Sequence, residues 1–284
     1  MKTILVPTDF SEQATNALYL ATQIAKKSGA KILIVNVIEG IRNFSFNTMG
    51  ESNAAMGEEA FLVRKLVEKV NERMAQLVSD SMFDGVEVAT EVEMGSPYES
   101  ISRVIAGHSA DLVVMGTVGM SGLEEVLIGS NTEKVVRHAK CPVITLKKKV
   151  SLEDIQNIVF ATNLDSDQTA VIERLKVMQE MTGAKLHLVK VNTPNHFHTQ
   201  HQMEDEFENY LAKHKLSNTS TNIYNEITEE DGILRFAEDL GPCMIAIGTH
   251  GRTGLLHLLS GSIAEDLVNH ADKPVWTMSM KHAK

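Results

Sequence analysis

The sequence repeats itself once along its length, and this internal repeat constrains the fold more than any other feature. Residues 4–9 read ILVPTD and recur at 158–163 as IVFATN, while Gly-Ala-Lys at 29–31 recurs at 183–185, both at an offset of 154 positions. Gly-Thr-x-Gly at 116–119 and Pro-Val at 142–143 recur at 248–251 and 274–275, at an offset of 132 positions. The chain therefore consists of two copies, and we predict domains at residues 1–149 and 150–284.

The difference between the two offsets makes the second copy 22 positions shorter, and the loss falls between the second and fourth strands. Residues 39–57 are the best candidate for the extra segment, because Asn, Ser, Gly and Met occur there without periodicity. Such a stretch is typical of a long connection between secondary-structure elements. We expect it to follow the second strand of the first copy.

Each copy alternates short apolar runs with longer amphipathic ones, which predicts alternating strands and helices. Ser11 and Ser96-Pro97 are typical helix starts, a capping residue and a proline in the first turn. Strands joined by helical crossovers run parallel, so we expect five-stranded parallel sheets with helices on both faces. In the first copy the predicted strands are 4–6, 32–37, 86–92, 112–115 and 143–146, and the predicted helices are 11–28, 57–80, 97–107 and 130–138.

Composition narrows the function classes. The 284 residues carry a formal charge of −10, which argues against a nucleic-acid partner because phosphate backbones require clustered Lys and Arg. The short basic run 147–149 is better explained as a solvated strand end. The N-terminal apolar run is too short for a signal peptide or a membrane span. Two isolated cysteines, Cys141 and Cys243, indicate buried reduced thiols and a cytoplasmic protein.

A glycine pattern follows the fourth strand of each copy. It consists of Gly-x-x-Gly, nine further residues and a Gly-Ser pair that begins a helix: Gly116, Gly119, Gly129 and Ser130 in the first copy, and Gly248, Gly251, Gly261 and Ser262 in the second. Glycines let the main chain approach a ligand, and amide groups at a helix start attract anions. The pattern favours a phosphate site, although two tight turns followed by a helix cap would also account for it.

The glycine pattern together with the opening strand ILVPTDFS resembles the ATP-binding branch of the universal stress protein family, over essentially the whole chain as two tandem copies. The resemblance implies two Rossmann-like, adenine nucleotide alpha hydrolase-like domains whose last strands pair to form an intramolecular pseudo-dimer. It implies that Asp9 contacts adenine, that Val37 packs on the base and that Ser130 and Asn131 bind phosphate. The full set of implied site residues in the first copy is Pro7, Thr8, Asp9, Val37, Met115, Gly116, Gly119, Gly129, Ser130 and Asn131. Asp9 could instead cap the first helix.

The second copy carries an equivalent set with departures from the pattern. Asn163 replaces the aspartate and Ala161 replaces the proline, so we expect two sites of unequal affinity. The implied residues are Ala161, Thr162, Asn163, Val191, Ile247, Gly248, Gly251, Gly261, Ser262 and Ile263.

The resemblance implies a nucleotide-dependent regulator in stress response or signalling. The expected ligand is ATP, or ADP or AMP, with Mg²⁺ or Mn²⁺ as candidate companion ions. Its expected partner is a protein of unknown identity, which the bound nucleotide would control by ordering segment 39–57. Two alternatives remain: a slow ATPase and a ligand-free interaction scaffold. The chain has no GxxxxGK[ST] loop, and Glu124 and Glu125 are better explained as a solvated helix face than as metal ligands, so efficient hydrolysis is not expected.

Two further features are open. His196, His198 and His201 have a spacing that could surround a metal ion, but an exposed polar loop accounts for them better. Strands 142–147 and 274–280 would be sheet edges if each half stood alone, so we expect them to be covered or paired, and the family resemblance implies that they pair with each other. A further homodimer is compatible with the sequence.

Overall fold

The computed structural model describes residues 1–39, 54–117, 129–164, 168–249 and 263–279, with side chains of the second helix described from residue 60 onwards. The N-terminal half contains β1 (Thr3–Pro7), α1 (Glu12–Ser28), β2 (Lys31–Ile38), α2 (Ala54–Val78), β3 (Val88–Met94), α3 (Pro97–His108), β4 (Leu112–Gly116), α4 (Ser130–His138) and β5 (Val143–Leu146). The C-terminal half contains β6 (Asn157–Ala161), α5 (Thr169–Thr182), β7 (Lys185–Asn192), α6 (Gln200–His214), β8 (Thr219–Asn225), α7 (Glu229–Leu240), β9 (Cys243–Thr249), α8 (Ile263–His270) and β10 (Val275–Ser279).

The described strands form one ten-stranded sheet in the order β3-β2-β1-β4-β5-β10-β9-β6-β7-β8. All neighbouring strands are parallel except β5 and β10, which pair antiparallel at the centre. Ile144 faces Trp276 there, and these two positions are equivalent at the repeat offset of 132. The predicted fold of two Rossmann-like halves joined through their last strands into a pseudo-dimer is therefore confirmed.

Helices cover both faces of the sheet, as the continuous apolar runs of the strands indicate. Along β1, Ile4 and Val6 belong to the core cluster that includes residues of α1 and α5, whereas Leu5 belongs to the cluster on the opposite face, which includes residues of α3 and α4. Each of these three side chains is fully buried. Strands buried on both sides are typical of parallel sheets whose crossover helices lie on the two faces.

The repeated Gly-Ala-Lys segments end α1 and α5 in the same way. Gly29 and Gly183 take left-handed backbone angles, with φ of 70° and 71°, and their amides donate to the helix carbonyls of Ala25 and Gln179. Glycine adopts this conformation without steric cost, which explains why both copies keep it. The chain then enters β2 or β7 after a single residue.

The predicted helix starts are largely as expected. Ser11 caps α1 through its hydroxyl, which accepts from the Ala14 amide at 3.2 Å. Ser96 occupies the cap position of α3 with Pro97 in the first turn, but its side chain makes no capping hydrogen bond. The third strand begins two residues later than predicted, because the amide of Val86 donates to Phe83 and closes a turn.

The length difference between the halves lies before the third strand, since the connections 95–111 and 226–242 are equally long. Part of this length difference lies in the helix before the third strand, because α2 has 25 residues and the equivalent α6 has 15. Most of the segment predicted as the extra connection, 40–53, lies outside the described residues. None of the helices in the described part of the chain is long and apolar enough to span a membrane.

Candidate functional site

The order of strands reverses next to β1 in the N-terminal half and next to β6 in the C-terminal half. In an open parallel sheet, the loops beyond the strand ends diverge at such a switch point and leave a crevice for a ligand. Pro7, Thr8, Asp9, Val37, Met115 and Gly116 all lie at or just beyond the carboxyl ends of β1, β2 and β4. The implied residues of the first copy therefore converge on one end of the sheet.

The turn after β1 is held by hydrogen bonds to its main chain. The amide of Thr8 donates to the carbonyl of Val35, and the side-chain amide of Asn36 donates to the carbonyl of Thr8 at 2.7 Å. Asp9 is exposed, and one of its carboxylate oxygens accepts from the Ser11 amide at 2.9 Å. Because Ser11 is the residue that caps α1, Asp9 shapes the turn before the helix rather than capping the helix itself.

Gly116 has a packing role that the sequence did not reveal. A Cβ atom at this position would lie 2.3 Å from the carbonyl carbon and oxygen of Gln13 and 2.8 Å from the amide nitrogen of Ala14. The end of β4 therefore touches the main chain of the first turn of α1, which only glycine permits. The equivalent Gly248 has room for a methyl group, with its nearest neighbours at 3.6 Å.

The start of α4 presents main-chain amides to solvent. Gly129 takes the cap position, and its carbonyl accepts from the amides of Thr132 and Glu133 at 2.8 and 3.2 Å. The amides of Ser130 and Asn131 precede these bonded positions, where the helix dipole favours an anion. Gly129 and Ser130 are exposed, and a Cβ on Gly129 would meet no atom within 4 Å. The remaining first-copy candidate, Gly119, lies outside the described residues.

A cavity of about 390 Å³ opens at the switch point of the C-terminal half. Seven implied residues of the second copy have described positions, and all seven line this cavity: Ala161, Thr162, Asn163, Val191, Ile247, Gly248 and Ile263. The other three, Gly251, Gly261 and Ser262, lie outside the part that the structure describes. Strands β6, β7 and β9 and the start of α8 thus supply one common wall.

One side of the cavity is apolar. Val189, Val191, Ile233 and Ile247 belong to the core cluster between the sheet and helices α7 and α8, and they also line the cavity. The first turn of α7 comes close to the sheet at Gly232, where a Cβ would lie 2.5 Å from a methyl carbon of Val191. An apolar wall beside a few polar groups is the usual composition of a small-molecule site.

The other side carries an ion pair, with a buried lysine, that sequence reasoning missed. Lys190, only 8% exposed, donates to the carboxylate of Glu206 and, at 3.2 Å, to the main-chain carbonyl of Asn163. His198 contacts the same carboxylate through Nδ1 at 3.2 Å. Lys190 occupies the position of Asn36 in the first copy, so a cation replaces a neutral amide. A lysine inside an apolar strand was the available signal.

The three histidines have separate carboxylate partners. His196 Nδ1 lies 3.2 Å from Glu229, His198 pairs with Glu206, and His201 on α6 lies 3.7 Å from Asp205. Each ring thus contacts a different carboxylate, and the described residues contain no group of three His, Cys, Asp or Glu that could hold a metal ion. His196 and His198 instead line the cavity. Glu124 and Glu125 lie outside the described residues.

Two doubly wound halves, joined through β5 and β10 into one sheet, define a two-copy α/β protein with a cavity at the switch point of its C-terminal half. The sequence pattern of the universal stress protein family matches residues 1–147 and 154–278. The chain belongs to the universal stress protein family, as its two tandem copies indicated.

Known relatives resemble this chain in the sequence of about half its length and in the fold of nearly all of it. Universal stress protein MJ0531 of Methanocaldococcus jannaschii is 34% identical over 154 residues, which cover 52% of this chain and 82% of the relative. A putative universal stress protein of Staphylococcus aureus is 31% identical over 57% of this chain and 94% of the relative. A universal stress protein structure from Archaeoglobus fulgidus matches 98% of both chains with a TM-score of 0.76 and 20% identity. That last likeness supports the fold of the whole two-copy chain.

Proposed function

We propose that this protein binds ATP or a related adenine nucleotide at one site in each half, residues 1–149 and 150–284, and acts as a nucleotide-dependent regulator. The observation that carries the proposal is the C-terminal cavity, lined by all seven described residues that the family resemblance implies for the second copy. Its volume of about 390 Å³ falls within the range of small-molecule sites.

The wall of the cavity suits each part of a nucleotide. Val191 and Ile247 offer apolar surface to a flat base, and Asn163 offers both a donor and an acceptor. The start of α8 at Ile263 lies on the same wall, so its amide groups and dipole favour the phosphates. A divalent ion, Mg²⁺ or Mn²⁺, would arrive with the phosphates, since the described residues contain no group of three His, Cys, Asp or Glu that could hold it.

The two sites differ in their polar groups, which supports unequal affinities. The first presents the Asp9 carboxylate beside Asn36, whereas the second presents Asn163 beside the Lys190–Glu206 pair. A carboxylate accepts only hydrogen bonds, while a carboxamide both accepts and donates. The two halves therefore offer the base and ribose different partners.

Calorimetric titration with ATP tests the proposal. The wild-type chain should bind two equivalents with different dissociation constants, and mass spectrometry of freshly purified protein should detect released adenine nucleotide. Ile263→Trp should remove one binding event by filling the C-terminal cavity, and Asn131→Trp should remove the other. Val177→Trp is the matched control, since Val177 is 40% exposed near the end of α5 that points away from the cavity.

Other outcomes decide against the proposal in distinct ways. Two equal sites would contradict the unequal polar groups as determinants of affinity. No binding and no retained nucleotide would favour the interaction scaffold instead. Steady release of phosphate that depends on Asp9 and Ser130 would favour the slow ATPase.

A further inference from the structure

Arg137, in the last turn of α4, reaches across the centre of the molecule to the other half. Its Nε donates to an oxygen of Glu265 at 2.7 Å, and its Nη2 donates to the same oxygen. Nη2 also donates to Glu133 at 3.0 Å. Glu265 lies in the first turn of α8, and Glu133 lies in the first turn of α4. One guanidinium therefore contacts the first turns of both helices that follow the Gly-Ser pairs.

We propose that Arg137 of the N-terminal half is a positioning residue for the C-terminal site, where it neutralises Glu265 and holds the first turn of α8 for an anionic ligand. This inference rests on the proposed nucleotide function, because it assigns the supporting charge of that same site. Arg137 acts through Glu265 and α8 and does not itself line the cavity.

The electrostatic need for this cation follows from the composition of α8. Its first turn carries Glu265 and Asp266, and its first residue, Ile263, lies on the cavity wall. Negative side chains so close to a helix start oppose the phosphates that the helix dipole attracts. The Glu265 side chain is only 9% exposed, so water screens its charge poorly. The guanidinium removes this repulsion locally.

The contact with Glu265 favours the charged form of Arg137. The hydrogen bond to Glu265 raises the pKa of Arg137 above its ordinary value, against the opposing effect of burial. Arginine stays charged at every relevant pH and presents its donors in a rigid fork, which suits it to fix a carboxylate. A neutral residue at 137 would leave Glu265 without its guanidinium partner.

The repeat shows that only the N-terminal half supplies an arginine at this position. Glu133 and Glu265 are equivalent at the offset of 132, but the position equivalent to Arg137 is Asn269. The carbonyl of Asn269 accepts a hydrogen bond from Lys147, and its side chain carries no charge. Glu133 also receives a hydrogen bond from Arg137, but it is far more exposed, at 38% of its side chain, so solvent screens much of its charge. The C-terminal site consequently depends on the N-terminal half, and the reverse dependence is weak.

The test compares ligands of different charge in the Asn131→Trp background, where only the C-terminal site should bind. Arg137→Gln should lower the affinity for ATP roughly tenfold and the affinity for adenosine less than twofold, because an unpaired charge in the first turn of α8 acts on the phosphates and barely on a neutral nucleoside. Arg174→Gln is the matched control. It removes another arginine that joins the halves, through Asp111 at 3.9 Å, but at the opposite end of the sheet.

A second variant separates charge from structure. In Arg137→Gln/Glu265→Gln the repulsive carboxylate is gone as well, so ATP affinity should return to within about twofold of the parent. Equal losses for ATP and adenosine, or no recovery in the double variant, would overturn the role of Arg137 while nucleotide binding by the parent stands. A wild-type chain that binds no nucleotide would overturn the proposed function and this inference together.

Discussion

Replacing Gly116 with alanine should destabilise the protein far more than the equivalent change at Gly248. The two glycines are related by the repeat and differ in their surroundings, so the pair forms an internal comparison. A Cβ at 116 would lie 2.3 Å from main-chain atoms of Gln13, whereas a Cβ at 248 would meet only side-chain atoms at 3.6 Å. Optimal contacts between carbon atoms are about 3.5 to 4.0 Å.

The magnitude follows from what can move. Relieving the contact at 116 requires the first turn of α1 to shift by about 1 Å, because main-chain atoms cannot rotate away as a side chain can. Overpacking of this kind costs about 1–3 kcal/mol, and the rigid neighbour places Gly116→Ala near the upper end, at about 3 kcal/mol. Gly248→Ala should be neutral or stabilise by up to about 1 kcal/mol, because alanine restricts the unfolded chain.

Thermal unfolding measures the difference. At about 2 °C per kcal/mol for a chain of this size, the two variants should differ by about 6 °C in Tm. Trp276 is the only tryptophan, fully buried in the central β5–β10 pair, so its fluorescence reports when the halves separate. Far-UV circular dichroism follows the helices in parallel. Equal shifts in the two variants, or a larger loss in Gly248→Ala, would refute the argument from close approach.

Three other measurements probe buried groups. Burial raises the pKa of the Cys141 thiol to about 12 and that of the Cys243 thiol to about 11. Both thiols should therefore resist alkylation at pH 8 in the folded protein and react when it unfolds. Rapid alkylation of the folded protein would contradict this expectation. Glu206→Gln should lower the free energy of unfolding in urea by about 3 kcal/mol, because it leaves the buried Lys190 cation without its carboxylate. Lys190→Met should cost less, since the Glu206 side chain that remains is 34% exposed to solvent. A larger loss in Lys190→Met than in Glu206→Gln would contradict this argument. Burial, and secondly the charge of Glu230, raise the pKa of Asp266 above 3.8 in the folded protein. The folded protein therefore binds this proton more tightly than the unfolded chain does. The resulting stabilisation is complete below pH 3.8 and is lost as pH rises through the folded pKa. Asp266→Asn should therefore raise Tm at pH 7 and have little effect near pH 4, and a gain of equal size at both pH values would refute it.

The packing role of Gly116 also affects how binding variants are chosen. A loss of ligand in Gly116→Ala would reflect the displaced α1 as well as any contact with a nucleotide. Ile263 and Asn131 are better positions, since both are partly exposed at helix starts. Their substitution changes the rim of each site with little effect on the core.

Much of the site could be placed from the sequence because its residues follow strands in both copies. Val37 and Val191 lie at equivalent points of β2 and β7, and parallel strands bring their carboxyl ends to one edge. The sequence favoured an exposed polar loop over a shared metal for His196, His198 and His201. A helix start between His198 and His201 sends the three rings to different carboxylates.

The sequence by itself determined the two copies, the alternation of strands and helices, and the edge of the sheet where the candidate residues gather. These features depend on periodicity and on repetition, which can be read along the chain. Only the tertiary structure decided that Lys190 pairs with Glu206 inside the cavity and that Arg137 joins Glu265 across the halves. Such contacts join residues from separate helices and strands, and packing in three dimensions selects them from many carboxylates that no local pattern distinguishes.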